Sequence, residues 1–484
     1  MKKHSIKVNV ILNMVKQICQ VIFPLITVPY VTRVLHADNN GKIDFSMSIV
    51  SYFTLIAGLG ISSYGVLEGS KLRDDRKKLQ QFSNEVFTIN IGSMLISYLI
   101  LFIMIFTVPK FAGYRNVLII QSAGIFFTTV GADWLNTVFE DFKYLTIRYI
   151  IFQMIAIILM FMLVRHKSDY LIYAAIMVGV TAGANFLNIF HIRKYVKLKI
   201  VKISNLKERL IPILVLFGNV VATTIYVNSD VTLLGFLKND DKEVGVYSFA
   251  SKIYTIIKNL INAVIGVVMP RLSNAYGKGE MDEVKRLGEA TVDALLLITI
   301  PALTGLLCLS REVIWIIGGP EYVGGAGALR VLSLALVFSV LSCLYGSAFL
   351  VIIREEVYFL KATIIASLSN IILNFVAIPM WGATGAALTT LIAEAIVFVM
   401  SYIKYNQKSK YPICPGKNNI LQILIASAGI IAACTLVKAV IKVMAYRLIF
   451  SVLLSIAIYF GILLIMKNKY VLESIAQLKK RLKK

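Results

Sequence analysis

The chain has 484 residues, of which 58% are hydrophobic and 16% charged, and its mean hydropathy is +0.77. This composition excludes an ordinary soluble domain and leaves room for many membrane-spanning helices. The formal net charge is +24. The five cysteines and four histidines show no metal-binding spacing and no phosphate-binding loop motif occurs, so the sequence predicts a polytopic membrane protein with no metal, disulfide framework, cofactor or nucleotide hydrolysis of its own.

The first apolar segment, NVILNMVKQICQVIFPLITVPYVTR from Asn9, has no small-residue cleavage site and is predicted to be a retained helix, not a signal peptide. At 3.6 residues per turn its polar side chains share one face: Asn9, Asn13, Lys16 and Gln20. This stripe predicts a face that lines a polar cavity, and the alternative is contact with another helix through amide hydrogen bonds. Pro24 and Pro29 predict a bend.

Apolar runs along the chain predict about fourteen spanning helices. Their approximate bounds are 8–32, 42–67, 84–108, 116–140, 147–165, 170–190, 209–236, 244–270, 288–309, 326–353, 358–379, 383–403, 419–438 and 446–466. With the N-terminus inside, Lys and Arg concentrate in the inner segments, so both termini are predicted to be cytoplasmic. The basic stretches beside the helices predict contact with anionic lipid headgroups and no nucleic acid.

The sequence also repeats itself. GKIDFSMSIVSYF from Gly41 is similar to GVYSFASKIYTII from Gly245, and a charged segment follows each at nearly the same interval. Six helices per repeat predict an all-α fold of two pseudo-symmetric six-helix bundles around a central cavity, plus a C-terminal helix pair. The predicted division is an N-terminal lobe at 1–190, a basic cytoplasmic linker at 191–208, a C-terminal lobe at 209–403, and the last helices and tail at 404–484.

Four basic residues fall inside the predicted helices: Lys16, Lys252, Lys258 and Arg330. Each costs about 2.5–3.5 kcal/mol at the bilayer centre, so they are expected to face protein or water. On the predicted eighth helix, 244–270, Tyr254 and Asn259 share a broad polar face with Lys252 and Lys258. Such a face predicts a cationic cavity for an anionic, sugar-containing headgroup, and the alternative is that the cations only pair with intramembrane acids.

Acidic residues inside the predicted helices are candidates for a gate or for ion coupling. Asp44 and Asp230 are predicted near Arg33 and Arg330 at the outer side, where ion pairs would close a gate. Asp133 is a further candidate. Glu394 lies nearest the middle of the membrane and could carry a coupling proton or pair with Lys16 or Lys258.

Several segments resemble one family in order and spacing: PLITVPYVTRVL, DWLNTVFEDF, DVTLLGFLKNDDKEVGVYSFASKI, MPRLSNAYGKGEMDEV and SNIILNFVAIPMWGATGAALTTLIAE. They are similar to the polysaccharide-transport flippases for O-antigen and capsule repeat units, in the multidrug/oligosaccharidyl-lipid/polysaccharide exporter superfamily. The match departs at HADNNGKIDF, where the family more often has Leu-Gly before the loop.

The resemblance implies a central cationic cavity and alternating-access movement of an undecaprenyl-pyrophosphate-linked oligosaccharide from the inner to the outer leaflet. The charged or polar family positions matched here are Arg33, Asp133, Asp230, Lys252 and Asn374.

The sequence thus predicts a flippase of the bacterial cytoplasmic membrane, with Lys16, Gln20, Arg33, Lys252, Tyr254, Lys258, Asn259 and Asn374 lining the substrate cavity. A polysaccharide polymerase and glycosyltransferases are its expected partners, together with anionic lipids. One alternative is a small-molecule or drug antiporter of the same superfamily, and intramembrane cations disfavour cationic drugs. Another is an integral-membrane polymerase, which a longest outer loop of only about fifteen residues disfavours.

Overall fold

The computed structural model describes the backbone of residues 6–203, 205–409 and 411–482. Within these ranges it leaves out the side chains of residues 6–14, 16–18, 21, 219, 474 and 477–482. The predicted stripe residues Asn9, Asn13 and Lys16 therefore lie outside the described side chains. The described chain is helical, with short connections and no strand.

The α-helices in chain order are α1 Ile6–Gly58, α2 Ile61–Leu72, α3 Arg76–Thr107, α4 Arg115–Gly131, α5 Trp134–Val138, α6 Phe142–Leu163, α7 Tyr170–His191, α8 Leu206–Lys238, α9 Asp241–Gly277, α10 Met281–Gly318, α11 Ala326–Ser342, α12 Glu356–Lys408, α13 Lys417–Val440, α14 Met444–Ile465 and α15 Lys469–Leu482. Short 3₁₀ turns at Pro109–Tyr114, Lys167–Asp169, Ile192–Lys194 and Pro320–Gly325 join some of them, and a π-helix, Cys343–Leu350, continues α11.

Twelve helical stretches of the described chain are long and apolar enough to cross a membrane, so the predicted all-α, multi-pass fold is confirmed. The count of fourteen is not confirmed. Helices α1 and α12 have 53 residues each, and a single residue with non-helical dihedrals divides each of them. A straight helix of that length measures about 80 Å, far more than the roughly 30 Å hydrocarbon core. Each is therefore a pair of helical segments joined at one residue.

The dividing residues are His36 (φ 64°, ψ 174°) in α1 and Gly382 (φ 52°, ψ −128°) in α12. The dihedrals of His36 belong to a region that is essentially reserved for glycine. His36 follows Leu35 where the resembled family more often has glycine, so the departure noted in the sequence coincides with a strained backbone. The predicted outer loop at 33–41 is helical apart from this residue, and Pro24 and Pro29 lie inside the preceding helical segment.

The chain divides into two compact units, unit 1 at Met1–Gly245 and unit 2 at Val246–Lys484. The predicted lobe bounds at 190 and 209 stay predictions. In unit 1, α1 packs against α3, α4, α6 and α8, and α4 packs against α7. The apolar core of unit 1 includes Leu35, Phe82, Leu118 and Leu135, which are at most 1% exposed.

Gly41 and Gly245, the first residues of the two repeated segments, approach each other within unit 1. A Cβ atom on Gly41 would lie 1.7 Å from the carbonyl oxygen of Asp241, and one on Gly245 would lie 2.0 Å from that of Ala37. Only glycine permits two helix backbones to come this close. The equivalent positions of the sequence repeat thus form one contact between α1 and the first turn of α9.

The basic segment after α7 lies along α3 in an extended conformation. Side chains spaced one turn apart on α3 accept hydrogen bonds from every second backbone N–H of the segment: Gln80 from Lys197, Asn84 from Lys199 and Thr88 from Val201, at 2.9–3.0 Å. The ladder satisfies backbone donors that have no helix or sheet partner. It fixes the predicted linker to the surface of unit 1.

In unit 2, α11 packs against α10 and α12, and α13 packs against α10 and α14. The main apolar cluster joins α9, α10, the π-helix and the end of α12, with Leu295, Leu344, Leu350 and Ile413 fully buried. The start of α15 is tied to this unit, because the hydroxyl of Tyr470 donates to Asp293 at 2.6 Å. These contacts hold the helices that carry the charged residues of unit 2.

Candidate functional site

In unit 2, α9 and α12 bring together three of the residues predicted from the sequence. The ammonium of Lys258 lies 3.3 Å from Oε1 of Glu394, and the hydroxyl of Tyr254 donates to the same oxygen at 3.2 Å. Ser342, the last residue of α11, donates to Oε2 at 3.3 Å. Of the two partners predicted for Glu394, Lys258 is the one found beside it among the described side chains.

The burial of this cluster is uneven. The side chain of Glu394 is 5% exposed, whereas that of Lys258 is 25% exposed. The ammonium also lies 5.2 Å from the centre of the Tyr254 ring, within range of a cation–π contact. An ammonium has three donors, and Glu394 is the one acidic partner the structure gives it. Lys258 is thus the partly accessible cation of a pair whose acid is buried.

Asn374 belongs to a separate buried cluster of unit 2. Its amide donates to Asn370 at 3.1 Å, and its carbonyl oxygen accepts from Thr389 at 2.7 Å. Asn374 and Thr389 lie on opposite sides of the break at Gly382, so these bonds connect the two segments of α12. The side chain of Asn374 is fully buried, and these hydrogen bonds stabilise the break in α12.

The other predicted site residues are distributed over both units. Gln20, Arg33, Lys252, Asn259 and Arg330 are exposed, and Arg330 donates to the hydroxyl of Ser310 at 3.0 Å. Asp44 is partly buried and Asp230 is 7% exposed. The roles predicted for these residues in substrate binding and gating stay predictions.

Sequence reasoning missed an ion pair in unit 1. Nη2 of Arg148 donates to both carboxylate oxygens of Asp133, at 2.8 and 2.6 Å. The Arg148 side chain is 8% exposed, and its Nε and Nη1 atoms are buried without a hydrogen-bond acceptor among the described residues. Each such unpaired donor costs about 1–3 kcal/mol. Arg148 is the second residue of the predicted helix 147–165. Because an arginine so near a helix end ordinarily reaches water, nothing in the sequence indicated that its side chain is buried.

Asp133 and Arg148 line a cavity of about 300 Å³ inside unit 1. The cavity forms where two helices stop and restart: α1 ends at Gly58 before α2, and α4 ends at Gly131 before α5. The sequence predicted continuous helices, 42–67 and 116–140, through both points. Gly60 (φ 72°) and Ala132 (φ 45°) have left-handed backbones there, which end an α-helix.

Side chains satisfy the backbone at both breaks. Asn90 and Ser93 of α3 donate to the carbonyl of Ala57 at 2.7 and 2.6 Å, and Asn188 of α7 donates to the carbonyl of Gly131. Broken helices are tolerated at membrane depth where the backbone is buried in protein or lines a polar cavity. The buried amides of α3 and α7 therefore support the cavity.

A second acid near the cavity has a different environment. Asp141, outside the spanning segments, accepts 2.8 Å hydrogen bonds from His191, Lys194 and Tyr195. Burial raises the pKa of Asp141, but these hydrogen bonds and the charge of Lys194 outweigh it and hold the pKa well below its usual value. Asp141 thus anchors the end of α7 to the start of α6.

The sequence model of a family described as polysaccharide biosynthesis protein matches residues 6–276, which is more than half of the chain. The chain belongs to this family. The model of a second family, MatE, matches residues 212–376. The resemblance noted in the sequence is therefore confirmed.

Known proteins agree with this assignment. The "Putative O-antigen transporter" of Escherichia coli (strain K12) is 24% identical over 410 residues, which is 84% of this chain and 98% of that protein. The "Probable low-salt glycan biosynthesis flippase Agl15" of Haloferax volcanii is 26% identical over 171 residues, 35% of this chain and 36% of that one. A solved structure of the lipid II flippase MurJ, in an inward closed conformation, matches with a TM-score of 0.68 at 19% identity and covers 93% of this chain and 99% of that one. The last match shows a shared fold.

Proposed function

We propose that this protein is a flippase that moves an undecaprenyl-pyrophosphate-linked oligosaccharide repeat unit from the inner to the outer leaflet of the bacterial cytoplasmic membrane, by alternating access, for surface polysaccharide assembly. Family membership and the names of the O-antigen and glycan relatives support this class of substrate. The observation that carries it is Lys258, a cation on an apolar helix with a quarter of its side chain accessible.

Lys258 suits the pyrophosphate for physical reasons. A compact ammonium attracts phosphate as a point charge, and a site of low dielectric strengthens that attraction. While no substrate is bound, Glu394 holds the ammonium of Lys258 in place. Tyr254 and Ser342 fix the carboxylate of Glu394 by donating hydrogen bonds to it. Arriving pyrophosphate would compete with Glu394 for the ammonium of Lys258, and Glu394 would then lose its cation. The predicted coupling role of Glu394 follows from this exchange.

The first experiment deletes the gene and follows the lipid-linked intermediate. A flippase predicts that surface polysaccharide is lost and that the lipid-linked repeat unit accumulates on the cytoplasmic face, out of reach of an external glycosidase. If the intermediate does not accumulate, or is accessible from outside, the proposal is wrong. A polysaccharide polymerase predicts single repeat units that reach the outer leaflet but are not extended.

The second experiment tests the Lys258–Glu394 pair by complementation of the deletion strain. Lys258→Gln combined with Glu394→Gln removes both charges, keeps the hydrogen-bonding groups, and is expected to abolish export at normal membrane levels. Lys361→Ala, at an exposed lysine of α12, is the matched control and is expected to export normally. Normal surface polysaccharide in the double variant would contradict the role of the pair.

The same complementation test applies to Lys252, another predicted cation of α9. Lys252→Ala is expected to reduce export strongly, because the sequence places Lys252 beside Lys258 on one polar face of α9.

The MatE match over residues 212–376 favours small-molecule antiport as the second candidate. That function predicts a deletion strain with normal surface polysaccharide and altered accumulation of a small organic cation. Dye accumulation assays on the strain described above therefore separate the two functions.

A further inference from the structure

The cavity of unit 1 has the chemistry of a ligand site. Its wall carries hydroxyl and amide groups from six helices. Thr128 and Thr181 are exposed residues whose hydroxyls have no hydrogen-bond partner among the described residues. The guanidinium of Arg148, in a side chain nine-tenths buried, has two nitrogen atoms, Nε and Nη1, whose N–H groups no described residue accepts. Trp134 and Tyr149 add aromatic surface. Such a wall offers more hydrogen-bonding groups than packing of unit 1 requires.

The charge of the cavity favours a neutral ligand over an anion. The carboxylate of Asp133 is 49% exposed, while the arginine that neutralises it is buried. A phosphate placed here would meet the carboxylate before the guanidinium, and like charges at close range oppose binding. A sugar hydroxyl, in contrast, donates to a carboxylate and accepts from a guanidinium, and aromatic rings pack against its CH groups.

The size and place of the cavity fit one part of the proposed substrate. About 300 Å³ is at the lower end of small-molecule sites, enough for one or two sugar rings but not for a whole lipid-linked oligosaccharide. Its lining residues fall in the inner halves of the predicted helices 42–67, 116–140, 147–165 and 170–190. Interrupted helices are also where membrane transporters commonly build their substrate sites.

We infer that this cavity is a glycan subsite, which binds a neutral sugar residue of the oligosaccharide through the Asp133–Arg148 pair and the hydroxyls of Thr128 and Thr181. The inference rests on the proposed function and deepens it, because it separates recognition of the sugar in unit 1 from recognition of the pyrophosphate by Lys258 in unit 2.

The test measures binding to the purified full chain in nanodiscs. The probes are the free repeat unit, released by mild acid from the strain's own surface polysaccharide, and inorganic pyrophosphate. Calorimetry gives the affinity, and a chain with Trp315→Phe and Trp381→Phe, in which Trp134 is the remaining tryptophan, reports occupancy by fluorescence. The free repeat unit is expected to give a saturable change that pyrophosphate neither produces nor competes away.

Two sets of variants locate the binding. Thr128→Val with Thr181→Val removes two exposed hydroxyls while keeping the side-chain shape, and is expected to weaken glycan binding about tenfold or more. Thr107→Val, at an exposed threonine of α3 outside the cavity, is the matched control with unchanged affinity. Arg148→Lys keeps the charge but loses the planar fork, and is also expected to weaken binding. The threonine variants decide the matter if Arg148→Lys fails to fold.

The outcomes separate this inference from the proposed function. A Trp134 response to pyrophosphate would mean that the cavity binds anions and would overturn the inference. Unchanged glycan affinity in the threonine variants, or no binding of the free repeat unit, would overturn it as well. In either case accumulation of the lipid-linked intermediate in the deletion strain would leave the flippase proposal standing.

Discussion

The Asp133–Arg148 pair of unit 1 and the Lys258–Glu394 pair of unit 2 bury opposite partners. In unit 1 the side chain of Arg148 is 8% exposed and that of Asp133 is 49% exposed. In unit 2 Glu394 is 5% exposed and Lys258 is 25% exposed. The more accessible charge is therefore the acid in the Asp133–Arg148 pair and the cation in the Lys258–Glu394 pair. A substrate with a neutral glycan and an anionic pyrophosphate would have a suitable partner in each unit.

The units also differ in how their longest helices are divided. Both α1 and α12 contain one residue with a positive φ, and that residue is His36 in α1 but Gly382 in α12. Glycine adopts such dihedrals without a steric cost, whereas histidine does not. The division of α1 at His36 is therefore strained, whereas the division of α12 at Gly382 is not.

The largest expected effect comes from leaving a buried charge without its partner. Lys258→Ala isolates Glu394, and Asp133→Ala isolates Arg148, so each is expected to cost about 3–5 kcal/mol of the free energy of unfolding. Removing the buried member instead, by Glu394→Gln or Arg148→Gln, leaves a charge that reaches water and is expected to cost less. Thermal unfolding of the purified variants in one detergent measures all four.

The order within each pair is the decisive result. The comparison holds if Lys258→Ala lowers the melting temperature more than Glu394→Gln, and Asp133→Ala lowers it more than Arg148→Gln. Equal losses for both members of a pair would show that burial does not distinguish the partners. Lys258→Ala/Glu394→Ala is the control for unit 2, because it removes the isolated charge and is expected to regain much of the stability.

Asp141→Asn is expected to have the next largest effect, about 2–3 kcal/mol, since hydrogen bonds to a charged group are worth about 1.5–3 kcal/mol. The pKa of Asp141 is lower in the folded protein than its unfolded value of about 3.9. The stabilisation is therefore complete above that unfolded pKa and is lost as the pH falls through and below it. The difference in melting temperature between wild type and Asp141→Asn should shrink between pH 6 and pH 3.

This variant also sharpens the contrast between the two acids near the cavity. Asp141 has three donors and its side chain is 17% exposed, whereas Asp133 is half exposed and paired with one arginine. Asp141→Asn should therefore leave the glycan affinity of the folded protein unchanged. A tenfold loss of affinity in Asp141→Asn would instead place Asp141 in the glycan subsite.

Sequence reasoning predicted the fold, and it gave Lys258 as one of two candidate partners for Glu394. Continuous hydropathy identifies spanning helices, and an isolated lysine such as Lys258 stands out within an apolar run. Arg148 did not stand out, because it lies one turn and a half into α6, where an arginine ordinarily reaches the interface. The breaks at Gly58–Gly60 and Gly131–Asp133 did not interrupt hydropathy, so the cavity between them had no signal in the sequence.

The position of His36 shows a further limit of sequence reasoning. The departure from the family pattern at HADNNG was visible, but its consequence depends on the dihedrals of one residue. Residue type gives a preference for a backbone conformation, and the packing of two helical segments can override it. The strain at His36 could therefore be located only in the structure.

His36→Gly is expected to stabilise the protein by about 1–3 kcal/mol, because glycine removes the steric cost of these dihedrals. The unfolded chain gains backbone entropy from the new glycine, which offsets up to about 1 kcal/mol of the gain. Gly382→Ala is the opposite change at the division of α12 and should lower the melting temperature. If His36→Gly lowers it too, the interactions of the histidine side chain outweigh the backbone strain.

The smallest expected effect is that of Ser342→Ala beside the ion pair of unit 2. The hydroxyl of Ser342 is within 3.3 Å of Glu394 and within 3.0 Å of the carbonyl of Ser339, but it has one proton to donate. Glu394 keeps Lys258 and Tyr254 when the serine is lost, so the cost should be about 1 kcal/mol. Ser347→Ala, at an exposed serine of the π-helix that bonds only locally, is the matched control and should change stability less.

The effect of Ser342→Ala on export distinguishes two roles of Glu394. If Glu394 takes up a proton during transport, the loss of a hydrogen-bond donor to its carboxylate is expected to change the pH dependence of export. If Glu394 only holds Lys258 in place, the pH profile of Ser342→Ala matches that of wild type. Export measured across pH 6–8 in the complemented deletion strain therefore decides whether Glu394 is a coupling group or a fixed counter-ion.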